Sequence, residues 1–189
     1  MKSQEIILIR HGRSAHVETG WIDLQGFHRW REAYEAAGIL PTEVPPDAVR
    51  QMARRAGVIA ASVAPRAIES ARLLAEGREV ITSPLLVERV PVPPSLRLRL
   101  PLAGWALAYG IQWLFRALTS RPHAPEAEVE RAREAADWLA ELARQHGAVA
   151  VVTHASFRTL LASTLMARGW KSAGARRRSH NWSAWALRL

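Results

Sequence analysis

Short, uninterrupted apolar runs separated by helical patterns are the feature that most constrains the fold. Residues 6–9 and 148–152 are apolar throughout, which is typical of strands buried on both faces of a parallel sheet. We predict strands at residues 5–9, 58–61, 79–81, 148–152 and 182–189, and helices at residues 26–37, 47–55, 65–75, 125–145 and 156–168. This alternation predicts an α/β protein, a three-layer α/β/α sandwich with a mostly parallel central sheet.

Length and composition limit the classes of protein that remain. The 189 residues predict a single domain spanning 1–189, and the proline-rich residues 82–101 are expected to be irregular. No cysteine is present, which excludes disulfides, thiolate catalysis and zinc–thiolate sites. The sequence also has no internal repeat, P-loop or glycine-rich nucleotide fingerprint.

The chain is strongly basic, with a net charge of +9, and Lys2 and Lys171 are its only lysines. A basic surface favours anionic partners such as phosphate esters or anionic lipid. A compositional bias towards arginine explains the charge equally well, so the charge alone selects no partner. The run at residues 176–178 is either a solvated turn or a contact to an anionic surface. With no recognised module for it, nucleic-acid binding is not expected.

The longest uncharged stretch, residues 100–115, lies within an apolar segment. A helix of 16 residues reaches about 24 Å, less than the roughly 30 Å of a bilayer core. We therefore predict an apolar helical insert at about residues 98–121 that covers the mouth of a pocket. Weak contact with a membrane or a partner through residues 100–115 is the alternative. The apolar run near the N-terminus is too short for a signal-peptide core, which favours a cytoplasmic protein.

Two histidines and two arginines are predicted to meet at one edge of the sheet. Arg10 and His11 follow the first strand and His154 follows the fourth, while Arg66 opens the helix after the second strand. Ligands of open α/β sheets bind outside the carboxyl ends of the strands. Arginine binds phosphate oxygens in bidentate fashion, and helix N-termini add backbone donors. These residues predict a compact cationic pocket for an anion.

Three segments of the sequence carry a family resemblance. They are Leu-Ile-Arg-His-Gly-Arg-Ser at residues 8–14, Ser-Val-Ala-Pro-Arg-Ala-Ile-Glu-Ser-Ala at residues 62–71, and Val-Val-Thr-His-Ala at residues 151–155. In this order and spacing they resemble the histidine phosphatase superfamily, which implies a phosphoglycerate-mutase-like fold. Some short members of that superfamily are also similar at residues 27–39 and in the apolar insert.

The resemblance implies a role for each residue of the pocket. His11 would attack phosphorus and form a phosphohistidine. Arg10, Arg66 and His154 would hold the phosphoryl oxygens and stabilise the transferring group. The superfamily needs neither a metal nor another cofactor, so none is expected here.

A proton donor for the leaving oxygen is expected in the loop after the third strand, where the resemblance places an acid. Glu88 lies in that loop, and burial would raise its pKa enough to keep it protonated. The competing interpretation is an ion pair between Glu88 and a neighbouring arginine, which would keep the carboxylate charged. Asp23 is the weaker candidate.

Several positions depart from the superfamily pattern. Arg13 stands where Glu or Gln is common, Val17 where many members have Asn, and Ala155 where Gly is usual. The backbone N–H of Ala155 remains available. We expect Arg13, Ser14 and Ala155 to be substrate contacts.

The function that these residues imply is that of a metal-independent phosphomonoesterase of the histidine acid type, acting through a phosphohistidine on His11. Its substrate would be a small, protein-linked or lipid-linked phosphate ester. One alternative is a phosphoglycerate-type phosphomutase, although such mutases are usually longer. The other is a non-catalytic protein that binds a phospholigand or associates with a membrane.

Overall fold

A six-stranded sheet forms the centre of the protein in the computed structural model, which describes residues 4–16, 20–89, 97–118, 125–174 and 180–189. The strands are β1 (Glu5–Arg10), β2 (Trp21–Ile22), β3 (Val58–Ser62), β4 (Val80–Ser83), β5 (Leu100–Pro101), β6 (Ala148–Thr153), β7 (Lys171–Ser172) and β8 (Ala184–Arg188). The helices are α1 (Leu24–Ala36), α2 (Asp47–Arg55), α3 (Pro65–Ala75), α4 (Leu102–Leu118), α5 (Glu126–His146) and α6 (Ala155–Ala167). A short 3₁₀ turn follows β4 at Pro84–Leu86.

The central sheet is mostly parallel, as predicted. Its strand order is β4-β3-β6-β1-β8-β7. The four strands β4, β3, β6 and β1 run parallel to one another, whereas β8 is antiparallel to β1 and β7 is antiparallel to β8. The carboxyl ends of β1, β3 and β6 therefore meet at one edge of the sheet.

Helices cover both faces of the sheet, which confirms the three-layer arrangement. Successive strand residues point to opposite faces, so Ile6 and Leu8 pack with α5 and α6, whereas Ile7 and Ile9 pack with α2 and α3. All four side chains are fully buried. This two-sided burial is the physical reason for the uninterrupted apolar run in the sequence.

The predicted elements differ from the observed ones by one or two residues at their ends. The last strand begins at Ala184 rather than at Trp182, because Trp182 has a positive φ of 59° that breaks the extended conformation. Helix α1 begins at Leu24, where the carboxylate of Asp23 accepts a hydrogen bond from the backbone N–H of Gly26 at 2.7 Å.

A small cap made of β2, α1, β5 and α4 is the part of the fold that the sequence patterns indicate least well. Strands β2 and β5 pair antiparallel, and β5 lies in the segment predicted to be irregular. The predicted apolar helix is present as α4. It packs on α1 through the buried Trp105, whose ring lies 5.2 Å from that of Phe27 and whose indole N–H donates to the carbonyl of Ile22.

None of the helices in the described ranges is long and apolar enough to cross a membrane. Several features of the sequence analysis lie outside the described residues: Val17, residues 90–96 of the proline-rich segment, residues 119–121 of the expected insert and the basic run at residues 176–178.

Candidate active site

The sheet edge brings His11 and His154 into contact. Their strands, β1 and β6, pair in parallel with Arg10 opposite Thr153, so the two histidines follow at adjacent positions. The backbone N–H of His11 donates to the carbonyl of Thr153 at 3.1 Å, and the two imidazole rings lie 5.1 Å apart at 63°. Residues 143 positions apart in the sequence thus form one cluster.

The hydrogen bonding of His11 determines which of its ring nitrogens carries the proton. Its Nδ1 lies 2.6 Å from the carbonyl oxygen of Gly12. A carbonyl oxygen can only accept, so Nδ1 bears the proton and Nε2 presents a lone pair. Burial lowers the pKa of His11 to about 3, although its hydrogen bond to Gly12 opposes this shift, and the charges of Arg66 and Arg10 lower the pKa further. The imidazole is therefore neutral at pH 7.

The turn that carries His11 is fixed by partners from two distant segments. The backbone N–H of Gly12 donates to the hydroxyl of Ser70 at 2.9 Å, and that hydroxyl donates to the carbonyl of Arg66 at 2.6 Å. From the other side, the side-chain amide of Asn181 donates to the carbonyls of His11 and Gly12 at 3.0 and 3.1 Å. Sequence reasoning did not identify Asn181, because nothing in its local pattern sets it apart from a surface turn residue.

Trp182 lies directly against the turn. Its backbone N–H donates to the carbonyl of Arg10 at 3.1 Å, and its indole N–H donates to Glu43 at 2.5 Å. Burial opposes the ionisation of Glu43, but hydrogen bonds from Arg13 and Trp182 outweigh that effect and lower its pKa. A Cβ atom placed on Gly12 would lie 2.7 Å from Cζ2 of Trp182, so glycine is required at this position.

This contact predicts the result of Gly12→Ala. The added methyl group must displace the indole or the turn, so we expect the free energy of unfolding to fall by about 1–3 kcal/mol. Gly110→Ala is the control. A Cβ at Gly110, which is in the interior of α4, meets nothing within 4 Å, and removing a helical glycine is expected to stabilise by about 0.5–1 kcal/mol. Urea denaturation of both variants measures the difference. Equal stability of the two would contradict the proposed clash.

Arg66 is fully buried beside His154 and is held by the end of α1. One terminal nitrogen, Nη1, donates to the carbonyl of Tyr34 at 3.0 Å. The other, Nη2, donates to the carboxylate of Glu35 at 3.0 Å and lies 3.2 Å from Nδ1 of His154. The guanidinium also lies 4.4 Å from the centroid of the Tyr34 ring. The end of α1 therefore occupies donors that a bound phosphate could use.

The same contact fixes the tautomer of His154. A guanidinium only donates hydrogen bonds, so Nδ1 of His154 accepts from Arg66, and Nε2 carries the proton, which it donates to the hydroxyl of Ser62 at 3.0 Å. Burial, reinforced by the charge of Arg66, lowers the pKa of His154 to about 2. Both imidazoles are thus neutral in a pocket whose positive charge comes from arginine.

Glu88 lies at the N-terminus of α6, next to His154. Its carboxylate accepts hydrogen bonds from the backbone N–H groups of Arg89 and Phe157 at 2.9 Å each, and from that of Ser156 at 3.4 Å. Burial raises the pKa of Glu88, although these backbone hydrogen bonds oppose the shift.

The ion pair that would keep Glu88 charged is not formed among the described residues. Two arginines near Glu88, Arg89 and Arg131, lie 3.4 and 3.1 Å from the carboxylate of Glu128. The charge of Arg66 opposes the rise in the pKa of Glu88 without forming an ion pair with it. Arg131 also donates to the carbonyls of Leu85 and Val87, which fixes the loop that carries Glu88.

Of the three expected substrate contacts, two already have protein partners. Arg13 forms an ion pair with Glu43 at 2.7 Å, and its side chain is 66% exposed. The hydroxyl of Ser14 accepts a hydrogen bond from the backbone N–H of His16 at 3.2 Å.

Three further residues from the sequence analysis have defined places in the structure. Ala155 is the first residue of α6, directly after His154. Arg10 is close enough for its charge to lower the pKa of both histidines. Asp23 caps α1, which gives this carboxylate a structural role.

A cavity of about 330 Å³ adjoins the cluster on the side of α1. Two of its wall residues connect it to the cluster, since Glu35 pairs with Arg66 and Glu88 lies beside His154. The complete wall consists of Phe27, Trp30, Arg31, Tyr34, Glu35, Val87, Glu88, Arg89 and Ser156. Within the described parts of the chain, no group of three or more His, Asp or Glu side chains could hold a metal ion.

Solved structures resemble this fold over nearly the whole chain. A mycobacterial glucosyl-3-phosphoglycerate phosphatase is 18% identical with a TM-score of 0.58, and the match covers 98% of this chain and 90% of that one. The phosphoserine phosphatase of Entamoeba histolytica is 15% identical with a TM-score of 0.53, over 96% and 89% of the two chains. Mycobacterial hydrolase 2 is 19% identical with a TM-score of 0.60, over 100% and 83%.

The chain has the phosphoglycerate-mutase-like fold. This confirms the fold that the three sequence motifs imply. The sequence has no significant match to a protein-family model or to a curated protein.

Proposed function

We propose that this protein is a phosphatase that hydrolyses phosphate monoesters through a phosphohistidine on His11. The observation that carries the proposal is the state of His11: a neutral, buried imidazole whose Nδ1–H is held by a carbonyl, which leaves Nε2 free to attack. A neutral imidazole is a competent nucleophile. Arg66 lies beside it, where a transferring phosphoryl group needs positive charge and hydrogen-bond donors. His154 is neutral and donates its N–H to Ser62, so in the proposed mechanism it exchanges that bond for one to a phosphoryl oxygen.

In the first step, Nε2 of His11 attacks phosphorus and the phosphorus–oxygen ester bond breaks. The leaving oxygen takes the proton of Glu88, which leaves Glu88 as a carboxylate. His11 keeps its proton on Nδ1, because this N–H donates a hydrogen bond to the carbonyl of Gly12 throughout. Arg10 and Arg66 balance the charge of the phosphoryl oxygens.

In the second step, water attacks phosphorus and the bond between Nε2 and phosphorus breaks. The carboxylate of Glu88 takes the proton of the attacking water, so the acid of the first step is the base of the second. Inorganic phosphate leaves and both residues return to their starting states.

The proposed substrate class is a phosphate monoester rather than a diester, because the cluster that would hold it is small and buried. Two of the similar structures support phosphatase activity by their names, which are those of a glucosyl-3-phosphoglycerate phosphatase and a phosphoserine phosphatase. Glucosyl-3-phosphoglycerate and phosphoserine are both small phosphate esters.

Phosphate release from a panel of phosphomonoesters, measured in the presence of EDTA, tests the proposal. We expect release from at least one class of ester and no dependence on added metal. Activity that EDTA abolishes would contradict the metal-independent mechanism. Transfer of phosphate between substrates without net release would favour a mutase, and binding of phosphate without turnover would favour a non-catalytic protein.

Glu35 is expected to compete with phosphate for Arg66. Glu35→Gln removes the negative charge that lies 3.0 Å from Nη2. A half-exposed ion pair contributes at most about 1 kcal/mol, so inorganic phosphate should inhibit this variant at a two- to fivefold lower concentration, by rough estimate. Glu32→Gln makes the same charge change at an exposed position of α1. Equal inhibition constants for both variants would show that Glu35 does not compete.

The pH dependence follows from the two shifted groups. His11 is already neutral above a pKa of about 3, so its protonation does not limit the rate near neutral pH. Glu88 must be protonated to donate, so the first turnover of an alkyl phosphate should fall as pH rises through the raised pKa of Glu88, by about tenfold per pH unit. Dividing the first-turnover rate of the wild type by that of Glu88→Gln at each pH removes the effect of the substrate's own titration. A ratio that does not change with pH would contradict the assignment.

A further inference from the structure

An open apolar groove runs between α1 and α4. Its volume is about 430 Å³. Two residues come from α1, Phe27 and Trp30, and the remainder from α4: Leu102, Ala103, Trp105, Ala106 and Tyr109. Among the described residues, no charged side chain belongs to this wall.

The groove shares a wall with the cavity beside the catalytic cluster. Phe27 and Trp30 line both spaces. The two linings differ: that of the cavity includes charged residues such as Glu35 and Glu88, whereas the described residues that line the groove are all apolar or aromatic. The two spaces together therefore offer a charged end at the cluster and an apolar end along α4.

A row of aromatic rings connects the two ends. Trp105 lies 5.2 Å from Phe27, Phe27 lies 5.5 Å from Trp30, and Trp30 stacks on Tyr34 at 5.3 Å. Tyr34 lies under the guanidinium of Arg66 at 4.4 Å. The row begins in the groove and ends on the cation that the proposed mechanism uses to hold phosphate.

We infer that the substrate is an amphiphilic phosphate monoester, whose phosphate lies at His11 and whose alkyl or isoprenyl chain lies in the groove between α1 and α4. The inference rests on the proposed function. Adjacency selects the occupant: Phe27 and Trp30 line both the groove and the cavity beside the cluster, so the chain of an ester that extends from the cluster along α1 reaches the groove next. Apolar surface of this kind is stabilised when a ligand removes it from water.

A series of linear alkyl phosphates from ethyl to octyl, each below its micelle concentration, tests the inference. Each methylene that enters the groove is expected to raise kcat/KM by up to about fourfold. Because part of the chain stays in water, we expect a total rise of roughly 10- to 100-fold and then a plateau.

Two neighbouring positions of α4 provide a matched pair of variants. Ala106 lines the groove, whereas Leu107 is 65% exposed and does not. Ala106→Gln is expected to lower kcat/KM for octyl phosphate about tenfold, and far more than for ethyl phosphate. Leu107→Gln should retain the chain-length dependence of the wild type.

The outcomes separate the inference from the function on which it rests. Hydrolysis of ethyl phosphate with no gain from longer chains would overturn the inference and leave the phosphatase intact. Absence of hydrolysis for every ester would overturn the proposed function. An equal loss of kcat/KM for octyl phosphate in both variants would place the alkyl chain on the exposed face of α4, as binding to a membrane surface would require. That result would overturn the assignment of the chain to the groove.

Discussion

Replacing His11 with alanine is expected to lower the rate of phosphate release by about 10⁴-fold or more, because no other group can form the covalent intermediate. The nearest imidazole, that of His154, cannot substitute for it. Both of its ring nitrogens are engaged, one by Arg66 and the other by Ser62.

The covalent intermediate itself is the decisive measurement for His11. Rapid acid-free quenching of the wild type with a ³²P-labelled ester should trap an acid-labile, base-stable phosphoprotein that His11→Ala does not form. His146→Ala removes an exposed imidazole at the end of α5 and should label like the wild type. Circular dichroism of both variants controls for folding. If the His11→Ala variant were also labelled with ³²P, His11 would not be the nucleophile.

The central sheet is predictable from the sequence because β1 and β6 are buried on both faces. Such strands need apolar residues at every position, and the run at Ile6–Ile9 has them. The cluster is predictable for a related reason: Arg10, His11 and His154 directly follow strands whose carboxyl ends must meet. Arg66 belongs to the same edge because it opens the helix after β3.

The supporting residues could not be predicted, because their roles depend on contacts between distant segments. Asn181 holds the His11 turn from 170 positions away, and Trp182 follows it. Glu43 is recognisable only through its hydrogen bonds with Arg13 and Trp182. The cap of β2, α1, β5 and α4 could not be predicted for another reason. Strands β2 and β5 have two residues each, too few for any periodicity to appear.

Glu88→Gln is expected to slow the first turnover of an alkyl phosphate by about 10²–10⁴-fold, because an alkoxide leaves poorly without a proton. The substitution keeps the shape of the side chain, and its amide oxygen can still accept the hydrogen bonds from Arg89 and Phe157 that position the loop. It removes the ionisable proton and the oxygen that accepts the longer hydrogen bond from Ser156, at 3.4 Å. Burial, which raises the pKa of Glu88, keeps that proton bound to a higher pH than on an exposed glutamate.

The leaving group separates proton donation from general damage to the site. The phenolate of p-nitrophenyl phosphate departs unassisted, so its first-turnover rate should change much less in Glu88→Gln than that of an alkyl ester. Breakdown of the phosphohistidine should still be slow, because water then lacks its base. A burst of p-nitrophenol followed by slow turnover is therefore the expected trace in a stopped-flow experiment. If the first turnovers of both esters fell by the same factor, Glu88 would be a structural cap of α6, and Asp23, despite its role as cap of α1, would be the next acid to replace.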